Sequence, residues 1–381
     1  MKQLSGSRLR KDRRPSDRRF VFPAKALRFS FALALFVCVT CVRAQEEASP
    51  TPTPTPEPSR APESSTSSIS REVKEIFEKS GKAVVKVRGT DQHGDLSGTG
   101  FFIDPAGMLY TVFTVADDTE NLTVEFDGKV YPARVMMTDV RSGIAILKAD
   151  IATPALPLGK SGQLEVATPV MTIGFPLDLP GTPSFGMVAG FDRKFLGRYF
   201  STTHVRVNLP TQRGQGGSPL LNFKGEVIGI LIAQIDNGSA CYALPIDAAE
   251  KIRNDFIRFG EPRHGWIGIN VAAAERPIEG STAEMTEIMK DTPAFGSGVQ
   301  PGDILLQVGK TTVRQPEDVI DASFFITAGD TVPITVMRGN EKLTFEVESD
   351  FHPASLRPPK AAGLTPKEGI PLQIDATSRT P

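Results

Sequence analysis

The stretch Arg213–Asn222 reads RGQGGSPLLN. Gly214, Gly216 and Gly217 leave this backbone free to take positive φ and to aim N–H groups inward. Such a loop suits a hydrolase, in which backbone amides hold a developing oxyanion while a serine hydroxyl attacks. The hydroxyl present is Ser218, directly before Pro219. A serine is a poor nucleophile until a base takes its proton and a third group holds that base. The available imidazoles are His93, His204, His264 and His352, no two of them close in the chain. His93 falls in DQHGD and reads as a solvated hairpin residue. His204 reads as a solvent-facing strand residue. Cys241 sits in an apolar strand, where a thiol packs as a small hydrophobe. No Cys/His pair has zinc spacing, so neither a metal nor a cofactor is expected.

Two ordinary domains and some tails fit in 381 residues, and 40% hydrophobic content with 34 glycines suits a strand-rich globular chain. A formal net charge of −1 excludes the broad basic face of a nucleic-acid binder. Residues 1–44 read as a signal peptide: basic residues from Lys2 to Arg28, an apolar run Phe29–Val42, and small residues for cleavage after Ala44. The alternative is that the segment stays as a membrane anchor, with export to the periplasm, or otherwise out of the cytoplasm, in either case. Cys38 and Cys41 leave with a cleaved signal. Residues 45–68 form a Pro-rich linker. From 69 to 260 a short helix, REVKEIFEKSG, precedes closely spaced strands such as AVVKVRG, MLYTVFTV, HVRVNLP and EVIGILIAQ, and the helix IDAAEKIRNDFIRFG closes the domain. Residues 263–351 carry strands GWIGINV, DILLQVG, TVPITVMRG and KLTFEVES around the helical stretch PEDVIDASFFI. Residues 352–381, rich in proline, read as a disordered tail. The fold class is mainly all-β.

The order of GTGFFIDPAGMLYT, SGIAILKAD, GGSPLLNFKGEVIGI, CYALPIDAA, GWIGI and VQPGDILLQVG resembles the HtrA/Deg family of exported serine proteases over Ile69 to Phe351. The resemblance implies a trypsin-like double β-barrel followed by a PDZ domain, a small α+β fold, and a possible homotrimer. The short loop DQHGDLS does not support larger cages. Three frames depart from the family. In TVFTV, Thr114 stands at the histidine position; in SGIAIL, Gly143 stands at the aspartate position; in GQGGSP, Gly216 stands at the nucleophile position, two residues before Ser218. A two-residue shift along a tight loop moves a side chain several ångströms, outside attacking geometry. Gly214 and Gly216 remain as a vestigial oxyanion loop or as a plain glycine-rich turn.

The second domain keeps a role that needs no triad. In the resemblance, Trp266, Ile267, Gly268 and Ile269 form the loop and edge strand that hold a peptide C-terminus, with Ile267, Ile269 and Val319 as pocket walls. The expected activity is that of a proteolytically inactive HtrA-like pseudoprotease binding protein C-termini or unfolded polypeptides. Two alternatives stand beside it: an active serine endopeptidase in periplasmic protein quality control, and a structural subunit in oligomers with an active homologue. No nucleic-acid partner is expected, and no membrane unless the signal is uncleaved.

Overall fold

A computed structural model describes residues 65–353 apart from Gly197 and residues 236–237. The signal, residues 45–64 of the linker and the tail beyond Pro353 lie outside the described residues.

Helix α1 (Ser65–Ser80) starts inside the stretch read as linker. Val73, Ile76 and Phe77 anchor it to the barrel core, and a turn of Ser and Thr extends an anchored helix at small cost. Six strands then close the first barrel. β1 (Val84–Asp91) and β2 (Gly94–Phe102) meet at a two-residue turn, Gln92-His93, where His93 is exposed as expected. β3 (Met108–Val112) gives way to a single helical turn, α2 (Phe113–Ala116). The sequence suggested strand through Val115. The chain leaves the sheet because the Phe113 N–H donates to the Gly143 carbonyl at 2.8 Å. β4 (Glu120–Phe126), β5 (Lys129–Asp139) and β6 (Ile144–Ala149) complete the ring in the order β1-β2-β3-β6-β5-β4.

The second barrel repeats the plan with β7 (Pro169–Gly174), β8 (Thr182–Phe195), β9 (Arg198–Val207), β10 (Pro219–Leu221), β11 (Val227–Ile235) and β12 (Ala240–Pro245), ordered β10-β11-β12-β9-β8-β7. Closure leaves neither barrel an unpaired edge. Helix α3 (Ile246–Phe259) lays Ile246, Ala248, Ala249 and Ile252 on the core and ends at Gly260, whose φ of 80° supplies the left-handed cap.

The last domain is a twisted sheet and one helix. β13 (Gly265–Trp266) pairs with β20 (Asp350–Phe351). The main sheet runs β14 (Ile269–Ile278), β15 (Ser281–Ile288), β16 (Ile304–Val308), β18 (Thr331–Arg338) and β19 (Glu341–Glu348), with β17 (Thr311–Thr312) paired to β16. Helix α4 (Asp318–Phe325) is shorter than PEDVIDASFFI. Asp318 turns its carboxylate back to accept the N–H groups of Arg314 and Gln315, which fixes the turn before the helix. GWIGINV, expected as one strand, breaks at Ile267-Gly268 between β13 and β14, because Gly268 takes φ +81°. β14 is an edge of its sheet.

The domains are packed, not merely strung together. Phe324 of α4 is fully buried in the same apolar cluster as Tyr110, Met171 and Ile252. Asp321 of α4 accepts bonds from Thr202 Oγ1 at 2.8 Å, the Thr203 N–H at 2.5 Å and Arg193 Nε at 3.0 Å. Arg193 also reaches Asp318 at 2.7 Å. On the other side, His264 Nε2 donates to both oxygens of Asp139 at 2.9 Å, with both residues buried. Burial works to raise the Asp139 carboxyl, but bonds from His264 and Ser142 outweigh it and hold it below its ordinary range. Burial lowers His264 despite that bond, so the imidazole is the neutral donor.

Candidate functional site

Two cavities carry the residues singled out by the sequence. The first, of about 340 Å³, is a cleft at the meeting of the barrels, lined among others by Asp95, Ser97, Thr114, Gly214, Gly216 and Cys241. Thr114 is exposed on the α2 turn. Gly143 is tied to that turn through the Phe113–Gly143 bond and adopts φ +75°. Gly216 hangs over β3, where a Cβ built on it would stand 3.2 Å from Val112 Cγ1. The three frames thus converge around one cleft from α2, the β5–β6 turn and the loop before β10.

The loop backbone is set by close approach. Gly217 has φ +87°, and a Cβ there would lie 2.2 Å from the Thr99 carbonyl oxygen. Its N–H donates to the Leu231 carbonyl at 2.7 Å, and that of Gln215 to the Gln212 carbonyl. Gly214 has φ +91°; Gly216, read as equally permissive, does not need a positive φ. Among the described residues the N–H groups of Gly214 and Gly216 donate to no protein group. They are free donors within the loop.

Ser218 is fully buried and does not line the cleft. Its Oγ finds no hydrogen-bond partner among the described residues and packs toward Gly174. His204 corrects the expectation of a solvent-facing residue: it is buried at 2% exposure. Its ring stacks on Phe200 at 4.3 Å between centroids and shares a 2.7 Å hydrogen bond with the Thr202 carbonyl, so β9 turns it into the molecule. Burial pushes its pKa down to about 4. None of the four histidines lines the cleft. Cys241 does, but burial pushes its thiol up to about 12, the inert form near neutral pH. No group of three His, Cys, Asp or Glu among the described residues could hold a metal.

The second cavity, of about 350 Å³, lies along the β14 edge. Trp266, Ile267, Gly268, Ile269 and Val319 all line it. Ile267 is buried in the domain core, while Ile269 and Val319 are half-buried against that core. Gly268 is required on two counts: its φ of +81°, and Thr292, which a Cβ would meet at 2.3 Å. The carbonyls of Ile267 and Gly268 accept bonds from Ala294 and Met289, whereas their own N–H groups donate to nothing among the described residues. Ile267-Gly268 is therefore a pair of unspent amides at the head of an apolar groove, the arrangement that captures a terminal carboxylate. The lining residues that the sequence did not single out include Arg141 from the first barrel, Tyr199 from the second, and His352. No local motif marks them: Arg141 and Tyr199 reach the groove only through the packing of one domain on the other, and His352 arrives through its backbone bond to His264 beside the β13–β20 pair.

Double barrel, interbarrel cleft and edge-strand groove define the class: a trypsin-like peptidase domain followed by a PDZ domain. Residues 98–230 match the trypsin-like peptidase domain and residues 265–348 the PDZ domain. The chain is 30% identical over 275 residues to serine protease HTRA1 of Xenopus tropicalis, covering 66% of this chain and 59% of that protein. It is 28% identical over 313 residues to a probable periplasmic serine endoprotease DegP-like of Pseudomonas fluorescens, covering 78% of this chain and 65% of the relative. It thus spans about 59% to 65% of the length of these two relatives. Among solved structures, the HtrA-type protease AlgW with tripeptide superposes with a TM-score of 0.65 at 22% identity, covering 76% of this chain and 99% of that one. The chain thus pairs a trypsin-like peptidase domain with a PDZ domain, and the relatives and solved structures it resembles are HtrA- and DegP-type proteases.

Proposed function

We propose that this chain is an exported HtrA-like pseudoprotease that binds peptides or unfolded polypeptides through its PDZ groove and does not cleave them. The observation that carries the reading is the cleft: Thr114 and Gly216 line it, Gly143 is bonded to its rim, and no histidine reaches it. A hydroxyl without a base near pH 7 is not an activated nucleophile. Ser218, the hydroxyl nearest in sequence, is packed in the interior without a base. Gly214 and Gly216 keep amides that can hold a carbonyl or carboxylate oxygen without turning it over. Peptide capture falls to Ile267, Gly268, Ile269, Val319 and Trp266, in keeping with the tripeptide held by AlgW.

In this reading residues 1–44 are removed, the mature chain starts at Gln45, residues 69–260 are the trypsin-like domain and residues 263–351 the PDZ domain, acting in the periplasm or its equivalent. The relatives with periplasmic names support export. No helix among the described residues is long and apolar enough to cross a membrane. A homotrimer, or a mixed oligomer in which this chain is a structural subunit beside an active homologue, is compatible with peptide binding.

A fluorophosphonate probe, which labels activated serines, tests the proposal on purified mature protein. No labelling and no cleavage of casein are expected. Losing triad members in related chemistry removes about 10⁴ to 10⁶ of the rate. Labelling that Ser218→Ala abolishes would establish the active endopeptidase instead.

A further inference from the structure

The PDZ groove is not built by the PDZ domain alone. Arg141, in the turn between β5 and β6 of the first barrel, lines it together with the Trp266–Ile269 loop. The turn is held in place: the Arg141 N–H donates to Asp139 Oδ1 at 3.3 Å, and its carbonyl accepts Ser201 Oγ of the second barrel at 2.6 Å. Its Nη1 is buried and has no hydrogen-bond partner among the described residues. A guanidinium has five donors and no way to shed its charge, so a buried and unpaired nitrogen is costly unless an anion arrives.

The position of that charge along the groove is fixed by its neighbours. Arg141 bears electrostatically on both His264 and His352. His264 immediately precedes β13, which leads into the Ile267-Gly268 amides, and the His352 N–H donates to the His264 carbonyl at 2.8 Å. Arg141 therefore stands at the loop end. The carboxylate among the lining residues, Glu317, stands at the other end. Ser323, in the last turn of α4, donates to the Gly265 carbonyl at 3.1 Å, so the C-terminal end of the helix abuts the loop. Six residues of helix, about 9 Å of rise, separate Glu317 from Ser323. The groove is polarised, with a cation at its closed end and an anion where an incoming chain would run out.

We propose that the terminal carboxylate of a bound peptide is held by Arg141 of the first barrel together with the amides of Ile267 and Gly268, so that the composite of two domains is the binding unit. This rests on the peptide-binding reading above and adds to it the cation and its source. The guanidinium completes a site whose backbone donors are already unspent, and the same turn carries Gly143 at the rim of the interbarrel cleft.

The test uses the mature chain and a labelled decapeptide ending in Val-Val-Val, prepared as the free acid and as the C-terminal amide. The parent protein is expected to prefer the free acid by about tenfold or more, the range for a hydrogen bond to a charged group. Arg141→Gln is expected to weaken the free acid by about that factor, leave the amide unchanged and so erase most of the preference. Arg141→Lys, which keeps the charge, retains a measurable share of it and serves as the second variant should Arg141→Gln melt early. A preference that survives intact in both variants overturns the role of Arg141 while leaving peptide binding standing. A parent protein that treats acid and amide alike, or binds neither, overturns the carboxylate loop itself and this inference with it.

Discussion

The interbarrel cleft and the PDZ groove are cavities of nearly equal size, about 340 and 350 Å³, and both present unspent backbone amides at a glycine turn. They differ in what their chemistry depends on. A hydrolytic cleft needs three side chains in register, and substitution at Thr114, Gly143 and Gly216 can empty it while every backbone trace is kept. A carboxylate loop works largely through the main chain, so apart from Arg141 it tolerates changes of side chain provided that Gly268 stays glycine. One fold can therefore lose a reaction at one site and keep recognition at the other, and the two sites meet at the turn Asp139–Gly143.

The largest expected effect tests whether the two sites form one body. Phe324 is fully buried in the barrel cluster, so Phe324→Ala should cost about 3–5 kcal/mol. A thermal melt should fall by roughly 10 °C. An unchanged melt would mean that the groove does not depend on the barrels, contrary to a shared site.

Acid should act on the barrel side, on the junction and on His352 of the groove, which burial also pushes down to about 4. Burial holds His204 at about 4 against an ordinary 6.5, and burial also lowers His264. Between pH 6.5 and 4 the unfolded chain binds protons that the folded chain refuses, so stability falls as pH falls through that window. Asp139, held below its ordinary range, adds further loss only below that window, as pH falls through its folded pKa. His204 alone accounts for roughly 3 kcal/mol by pH 4. His204→Phe, which keeps a ring against Phe200, should flatten the profile of urea midpoint against pH. A profile as steep as the parent's would remove His204 as its source.

His204 also marks where sequence reading reached its limit. The strand carrying it, the helix after it and both domain folds are legible from period-2 patterning, glycine punctuation and motif order. Which face of β9 turns inward is not, because the tight β8–β9 hairpin and its packing on α4 decide it. The convergence of Thr114, Gly143 and Gly216 follows from motif order once the family is recognised. Arg141 and the Asp139–His264 pair do not: residues 125 apart in sequence bond only because α4 seats the last domain on the barrels. Helix α1 began early for a similar reason, since its docked face, not its polar first turn, decides whether it forms.

A smaller effect sharpens the groove's dependence on backbone. Gly268→Ala adds a methyl 2.3 Å from Thr292 at φ +81°. The strain is about 1–3 kcal/mol, enough to shift the loop. Peptide affinity measured by fluorescence anisotropy should drop at least tenfold, with circular dichroism reporting a folded chain. Retained affinity would show that the amides of Ile267 and Gly268 are not the carboxylate's partners.

The smallest expected effect is on the cleft, and it is the sharpest contrast with the groove. Gly216→Ser places a Cβ 3.2 Å from Val112 Cγ1 at a φ that is not left-handed, so Val112 must yield by only a few tenths of an ångström. Stability should change by less than about 1 kcal/mol. Gly143→Asp meets Ile232 at an ordinary contact distance of 3.9 Å, but carries the strain of φ +75°; aspartate is among the residues that bear that region best. Thr114→His replaces an exposed side chain on the α2 turn. Each single variant should remain unlabelled by the fluorophosphonate, because a nucleophile, its base and the group that orients the base act as a unit. The triple variant should gain labelling, since Thr114 and Gly216 line one cleft, Gly143 is bonded to the α2 turn at its rim, and the Gly214 and Gly216 amides are free. Labelling of Gly216→Ser alone would reveal a base in the cleft that the geometry does not contain. A triple variant that folds, binds the free-acid peptide as tightly as the parent and still resists the probe would show that these three side chains do not by themselves make the cleft hydrolytic.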